Sequence, residues 1–231
     1  MKKLYDLMED VTALIVDDDA YAQSYVEQFL VITGISSIRM ALDGREALDI
    51  LNGDNIDLMF LDISMGSMNG LELLKRIRLG ETQTRRDLPV IVLSNASDDR
   101  LVGTALALDC NAFLNKPSSQ AEIEEKIMMI FSTPATIRSP KAYRVISADL
   151  SLRMAPTKPQ NDFVPNSAAV LRLDELKPGH VLARDIYTVR GNTLLTAGTS
   201  LTQALICRLG ELSDLAGLDL VAIKDNVDKQ N

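Results

Sequence analysis

Thr12-Ala-Leu-Ile-Val-Asp-Asp-Asp19 and Leu58-Met-Phe-Leu-Asp62 are the two stretches that decide the fold of this 231-residue chain. Each is a short apolar run that ends abruptly in carboxylates. Runs of this kind are typical of interior strands in a parallel sheet, which are covered on both faces. The carboxyl ends of such strands meet at one edge of the sheet, where ligands bind. We therefore expect Asp17, Asp18 and Asp62 to lie together at that edge.

The predicted group of carboxylates indicates a bound cation. Like charges gathered at one point repel one another unless an opposite charge neutralises them. A set of oxygen ligands suits Mg²⁺, which takes one or two carboxylates and keeps several waters or a phosphate. The sequence therefore predicts Mg²⁺ as the cofactor.

Strand-like and helix-like patterns alternate five times in the first part of the chain. The strand predictions are 12–16, 37–41, 57–61, 89–93 and 112–114, and the helix predictions are 20–33, 44–52, 70–80, 98–108 and 119–131. This alternation with short connections predicts an α/β fold, a five-stranded, doubly wound parallel sheet with helices on both faces. The expected strand order is the flavodoxin-like 2-1-3-4-5.

Polar residues also follow the fourth and fifth predicted strands. Ser94 ends the fourth, and Asn115-Lys-Pro117 follows the fifth. Taken alone, each has an ordinary structural explanation, such as capping the next helix. Together with the aspartates they bring acids, a hydroxyl and an ammonium group to one point, which indicates a functional site.

Residues 11–131 resemble the receiver domain of bacterial two-component response regulators. The resemblance rests on four motifs in order, Leu14-Ile-Val-Asp-Asp-Asp19, Leu61-Asp-Ile-Ser-Met-Gly-Ser-Met-Asn-Gly-Leu-Glu-Leu-Leu74, Leu88-Pro-Val-Ile-Val-Leu-Ser94 and Ala112-Phe-Leu-Asn-Lys-Pro117. It implies that Asp62 is the phosphoacceptor, which takes a phosphoryl group from a histidine kinase or a phosphotransfer protein.

The resemblance also implies the metal ligands. Asp18 and Asp62 would bind Mg²⁺ directly, and Asp17 would bind it through water. The main-chain carbonyl of Ser64 would complete the protein's share of the ligands.

Three further residues receive roles from the resemblance. Lys116 would neutralise the incoming phosphoryl group, because phosphoryl transfer depends mainly on positioning and charge neutralisation. The Ser94 hydroxyl would bind a phosphoryl oxygen. Ser94 and Phe113 would then act as a switch that alters the face formed by the fourth helix, fifth strand and fifth helix.

Charge and proline content divide the chain into three parts. Residues 1–131 carry 12 basic and 22 acidic side chains, and 132–170 hold five of the eight prolines. We predict a receiver domain at 1–131, a solvated Pro-rich linker at 132–170 and a small α+β interaction domain at 171–231. Within the linker, Ala142-Tyr-Arg-Val-Ile146 could alternatively form a short strand or a docking element. An acidic main domain disfavours nucleic acid as a partner.

The last part resembles the short module that precedes HD-GYP cyclic-dinucleotide phosphodiesterase domains. The resemblance rests on Leu176-Lys-Pro-Gly-His-Val-Leu-Ala-Arg-Asp-Ile186 and Leu194-Leu-Thr-Ala-Gly-Thr-Ser-Leu201. The single histidine of the chain, His180, precedes Val181, so it forms no His-Asp metal motif. We therefore expect a response regulator that is not an enzyme. A regulatory partner or degenerate relative of a cyclic-di-GMP phosphodiesterase is the alternative, and a DNA-binding transcription regulator is less favoured.

No apolar stretch approaches the ~20 residues of a membrane span, and the N-terminus has no signal-peptide pattern. The expected location is the cytoplasm, with no membrane partner. Besides the kinase or phosphotransfer protein, a phosphodiesterase or other output protein and a second copy of the chain are candidate partners.

Overall fold

Five parallel strands form one sheet. The computed structural model describes residues 8–94, 99–132, 137–148, 168–187, 193–211 and 220–224. The sheet contains β1 (Thr12–Val16), β2 (Ser37–Ala41), β3 (Leu58–Asp62), β4 (Val90–Ser94) and β5 (Ala112–Asn115), in the order β2-β1-β3-β4-β5. All neighbouring strands are parallel, which confirms the predicted strand order and fold class.

Helices alternate with these strands. They are α1 (Ala20–Thr33), α2 (Gly44–Gly53), α3 (Gly70–Leu79), α4 (Asp99–Ala107) and α5 (Gln120–Ser132). Local sequence signals set several of their ends. The Asp19 carboxylate caps α1 by accepting from the Tyr21 amide, and Asn69 forms a capping box with Glu72 at the start of α3. Gly80 ends α3 with a φ of 79°, a left-handed conformation that favours glycine.

The central strands are buried on both faces. Every residue of β3 and β4 is buried, as are Ala13–Val16 of β1. The core around them includes Ile15, Phe60 and Leu93. The continuous apolar runs of the sequence follow from this burial, because neither face of these strands is exposed to solvent.

Residues 137–148, which we call the strap, differ from a solvated linker. They include a short helix, α6 (Pro140–Arg144), that packs against α3 and buries Tyr143 completely. Proline content suggested extended chain here. Pro140 instead occupies the first turn of the helix, where a missing N–H costs little. Ala142–Ile146 therefore includes residues that dock on the receiver, in agreement with the alternative prediction of a docking element.

The last part of the chain contains two separate two-stranded antiparallel sheets. One pairs β6 (Ala168–Arg172) with β9 (Leu220–Lys224), and the other pairs β7 (Ile186–Tyr187) with β8 (Thr193–Leu195). A 3-10 turn at Leu173–Glu175 and a helix, α7 (Gln203–Glu211), complete the described elements. Because the described strands form two separate sheets and not one, the small α+β domain stays a prediction.

The chain divides into two compact units at other positions than the predicted boundaries. One comprises Met1–Ser97 and Leu108–Ser151, and the other comprises Asp98–Ala107 and Leu152–Asn231. The strap thus belongs to the same unit as the parallel sheet, whereas α4 groups with the C-terminal residues. Among the described residues, no helix combines the length and apolar character that a bilayer crossing requires.

Candidate functional site

Three aspartates meet at the carboxyl edge of the sheet. Asp62 is the last residue of β3, and Asp17 directly follows β1, which pairs with β3 up to Val16 and Leu61. Asp17 and Asp62 are buried, whereas Asp18 is exposed. Each of the three offers a carboxylate oxygen within 4.8 Å of the others. The structure thus brings together the three side chains that the strand ends predicted.

Lys116 joins this cluster from the end of β5. Its Nζ lies 2.6 Å from Asp62 Oδ1 and 2.6 Å from Asp17 Oδ2. The contact with Asp62 has hydrogen-bond geometry, whereas the contact with Asp17 is an ion pair without it. The Lys116 amide donates to the Ser94 carbonyl at 2.9 Å, which ties the lysine to the end of β4.

Burial and charge act against each other in this cluster. Burial by itself would lower the pKa of Lys116, but the bonds to Asp17 and Asp62 outweigh it and raise that pKa. Burial raises the pKa of Asp17, and the Lys116 ammonium and the Asp19 amide offset this only in part. Lys116 is therefore a protonated cation that faces the two buried carboxylates.

Gln23 holds the backbone beneath the cluster. This buried side chain donates from Nε2 to the carbonyls of Asp17, at 2.9 Å, and Ala41, at 2.7 Å. It thereby links the ends of β1 and β2 and positions Asp17. The sequence analysis missed Gln23. A polar residue on the buried face of α1, three residues before the buried Val26, is the signal that could have revealed it.

The loop after β3 is closed by contacts between its two ends, at Ile63 and Gly70. The Ser64 amide donates to Asp62 Oδ2 at 2.7 Å, and the Gly70 amide donates to the Ile63 carbonyl at 3.1 Å. A Cβ atom at Gly70 would lie 2.1 Å from the Asp62 carbonyl oxygen, so a side chain cannot fit there. The loop therefore fixes both the carboxylate and the backbone of Asp62. The predicted ligand role of the Ser64 carbonyl stays a prediction.

The two predicted switch residues lie on β4 and β5. Ser94 is the buried last residue of β4, one position beyond Leu93, which pairs with Asp62. Phe113 pairs with Val92 and is half-buried. Ser94 thus reaches the edge where the aspartates meet, and the switching of this pair stays a prediction.

The residues of the cluster fit a divalent cation. Lys116 supplies one ammonium against three carboxylates, so the cluster retains excess negative charge. Asp17 Oδ2 and Asp62 Oδ1 each lie 2.6 Å from Lys116 Nζ, so two buried carboxylates share this one cation. Carboxylate oxygens are ligands that Mg²⁺ prefers.

Known proteins share this part of the chain. Residues 13–128 match the response regulator receiver domain. The transcriptional regulatory protein CpxR of Escherichia coli strain K12 is 36% identical over 118 residues, which cover 51% of this chain and 47% of CpxR. The regulator of RpoS from the same strain is 38% identical over 104 residues, which cover 45% of this chain and 29% of that protein. The chain thus spans half or less of the length of these relatives.

A solved structure shares the fold. It is the crystal structure of a putative two-component system response regulator/GGDEF domain protein, with a TM-score of 0.51 and 23% sequence identity. The match covers 56% of this chain and 52% of that chain. The sheet order, the cluster at its carboxyl edge and the match over residues 13–128 lead to one conclusion: this chain belongs to the response regulator receiver family.

Proposed function

We propose that this protein is a response regulator of a two-component phosphorelay, which accepts a phosphoryl group on Asp62 and signals by changing its association with other proteins. Receiver domains interact with histidine kinases or phosphotransfer proteins, and one of these is the proposed phosphodonor. The observation that carries the proposal is the position of the Asp62 carboxylate, which lies beside Asp17 and Asp18 and accepts a hydrogen bond from Lys116.

Asp62 is the nucleophile of the proposed reaction. One of its carboxylate oxygens forms a bond to the phosphorus of a phosphohistidine while the nitrogen–phosphorus bond breaks, and the imidazole nitrogen keeps the electron pair. Lys116 Nζ contacts Asp62 Oδ1. After transfer, its ammonium group would neutralise the negative charge of the phosphoryl oxygens. The Ser64 amide holds Oδ2 and so orients the carboxylate. These groups provide positioning and neutralisation, on which phosphoryl transfer mainly depends.

The acidic cluster would hold Mg²⁺, which receiver domains bind at such a pocket. Asp18 and Asp62 are the proposed direct ligands, with Asp17 acting through water and the Ser64 carbonyl completing the set. When bound, Mg²⁺ would neutralise charge on the phosphoryl group. Gln23 contributes indirectly, because it fixes the main chain that carries Asp17.

The proposed response starts at Ser94 and Phe113. A phosphoryl oxygen would accept a hydrogen bond from the Ser94 hydroxyl, and Phe113 would adjust as that hydroxyl moves. The change would alter the surface of β5 and α5, which either pairs with a second receiver or binds an output protein. We assign no catalysis to the C-terminal region. Its resemblance to the module before HD-GYP domains makes a separate phosphodiesterase the alternative partner.

The metal ligands can be tested by substitution. Asp18→Ala is expected to weaken Mg²⁺ binding at least about ten-fold, and more than Asp17→Ala does, because a direct ligand contributes more than a water-bridged one. Calorimetric titration with Mg²⁺ measures both affinities. Asp49→Ala is the control, since it removes one exposed carboxylate from α2, outside the cluster. Equal affinities for wild type and Asp18→Ala would count against a metal site here.

The output can be tested with beryllofluoride, which imitates a phosphoryl group on aspartate. Together with Mg²⁺ it is expected to change the sedimentation coefficient of the chain, either alone or mixed with a candidate output protein. The reason is that the proposed movement of Ser94 and Phe113 changes the surface through which the chain associates. Hydrolysis of cyclic di-GMP by the same preparation should stay undetectable. Robust hydrolysis would refute the non-enzymatic proposal, and recovery of DNA with the activated chain would favour a transcription regulator.

A further inference from the structure

A buried polar anchor formed by Arg138 and Tyr143 holds the strap on the receiver. Tyr143 is fully buried and donates from its hydroxyl to Asp109 Oδ2 at 2.6 Å. Arg138 reaches the same oxygen, with its Nε 3.0 Å away, and its amide donates to the Tyr143 hydroxyl at 2.7 Å. The guanidinium also lies over the Tyr143 ring, 5.2 Å from its centroid. Burial raises the pKa of Tyr143 to about 12, and its bond to Asp109 acts in the same direction, so the hydroxyl remains a donor at neutral pH.

A lysine of α3 contacts the strap beyond Tyr143. Lys75 Nζ donates to the Ile146 carbonyl at 2.6 Å and lies 3.4 Å from the Arg144 carbonyl. Arg144 is the last residue of α6 and Ile146 lies two residues beyond it, where a helix end leaves its carbonyls without intrahelical partners. An ammonium group is a suitable donor for such carbonyls. The contact fixes the direction in which the chain leaves α6.

The second end of the strap meets the loop that begins at Asp62. Asn69 Nδ2 donates to the Ala148 carbonyl at 3.0 Å, while Asn69 Oδ1 caps α3 by accepting from the Glu72 amide. The next residue, Gly70, is the one packed against the Asp62 carbonyl. A single residue, Asn69, therefore contacts the strap on one side and borders the tightest packing of the Asp62 loop on the other.

The loop between Asp62 and Gly70 is packed at both ends, so a movement at one end is expected to move the other. At its start, the Ser64 amide is bound to Asp62 Oδ2. Near its end, Met68 packs against Gly44, where an added Cβ would lie 2.8 Å from the Met68 carbonyl oxygen. A phosphoryl group would bring about −1.5 to −2 charges and three strong acceptor oxygens to the start of this loop, where they would compete for its amides. Tightly packed segments respond to such a change by shifting between discrete arrangements.

We propose that the strap senses the phosphorylation of Asp62: the loop shift displaces Asn69 from Ala148, so residues 145–148 detach from the receiver. This inference rests on the proposed function, because it assigns a regulatory consequence to the same aspartate. It adds a second output route, through α3 and the strap, to the proposed route through the surface of β5 and α5. The anchor at Asp109 and Tyr143 stays in place, since Asn69 contacts the strap at Ala148, five residues beyond Tyr143.

Hydrogen exchange of the full chain, read by mass spectrometry, tests the proposal. Beryllofluoride with Mg²⁺ is expected to slow exchange in residues 59–66, where it binds, and to speed exchange in residues 145–148. In Asn69→Asp, which keeps an N-cap oxygen but has no donor for the Ala148 carbonyl, exchange of 145–148 should already be fast without beryllofluoride. Ser67→Ala is the matched loop control, because Ser67 contacts Asp43 and should retain the wild-type response.

Thermodynamic linkage gives an independent test. If phosphorylation releases the strap, loosening the strap must favour the phosphorylated form by the same factor. Lys75→Met is therefore expected to raise the affinity for beryllofluoride, in the presence of Mg²⁺, about five-fold or more, the usual lower range of such coupling. Arg76→Met is the control, since it removes an exposed positive charge from the same helix.

The outcomes separate the strap from the proposed function. Faster exchange in 145–148 together with the affinity gain in Lys75→Met would support both. Slower exchange in 59–66 with an unchanged strap, and equal affinities for Lys75→Met and Arg76→Met, would overturn the strap proposal and leave the phosphoacceptor intact. If neither segment responds to beryllofluoride, the proposed function itself fails, and the strap proposal fails with it.

Discussion

Asp62→Asn is expected to abolish phosphorylation of this protein, by at least about a thousand-fold in rate. The carboxylate of Asp62 is the nucleophile of the proposed reaction, and an amide of the same size cannot form the acyl phosphate. The substitution retains the shape of the side chain, so the sheet should fold normally. Incubation with phosphoramidate and Mg²⁺, followed by intact-mass measurement, gives the labelled fraction directly.

The control for this experiment has to preserve the cluster while changing one carboxylate to an amide. Asp49→Asn does so, because Asp49 is exposed on α2, and it should be labelled like the wild type. The attached group should also be lost in mild alkali, as expected of an acyl phosphate. Persistent labelling of Asp62→Asn at the wild-type rate would show that another residue accepts the phosphoryl group.

The receiver fold could be predicted because its strands carry a strong and local signal. The first four residues of β3 are apolar and the fifth is Asp62, so the position of this strand in the sheet and the site at its end come from the same five residues. The carboxyl ends of parallel strands share one edge. Asp17, Asp62 and Lys116 could therefore be placed together without knowledge of any side-chain conformation.

The features that escaped the sequence analysis depend on contacts between distant segments. Gln23 bonds to Asp17 and Ala41, and no spacing rule gives its partners. The strap was assigned to a linker because it lies in the segment 132–170, which holds five of the eight prolines of the chain. It is docked because the Tyr143 hydroxyl donates a hydrogen bond to Asp109, which lies 34 residues earlier in the sequence. Composition describes what a segment prefers when isolated, and tertiary contacts decide the result.

Gly70→Ala is expected to destabilise the receiver by about 1–3 kcal/mol or more, the usual cost of forcing an atom into a packed site. The added Cβ would lie 2.1 Å from the Asp62 carbonyl oxygen, a separation at which the backbone must move. The φ angle of Gly70 lies outside the left-handed region, so alanine can adopt the local conformation and the cost is steric. Urea unfolding measures the loss.

The same loop supplies a matched control for this substitution. Gly66 is exposed, and a Cβ atom added there would meet nothing within 4 Å, so Gly66→Ala should change stability by no more than about 0.5 kcal/mol. The two variants add the same methyl group to the same loop, and they differ in whether Asp62 must move. Gly70→Ala should therefore also slow labelling by phosphoramidate, while Gly66→Ala should not. Equal stability and equal labelling of both variants would show that the backbone of Asp62 tolerates displacement, and that the close packing at Gly70 does not position the phosphoacceptor.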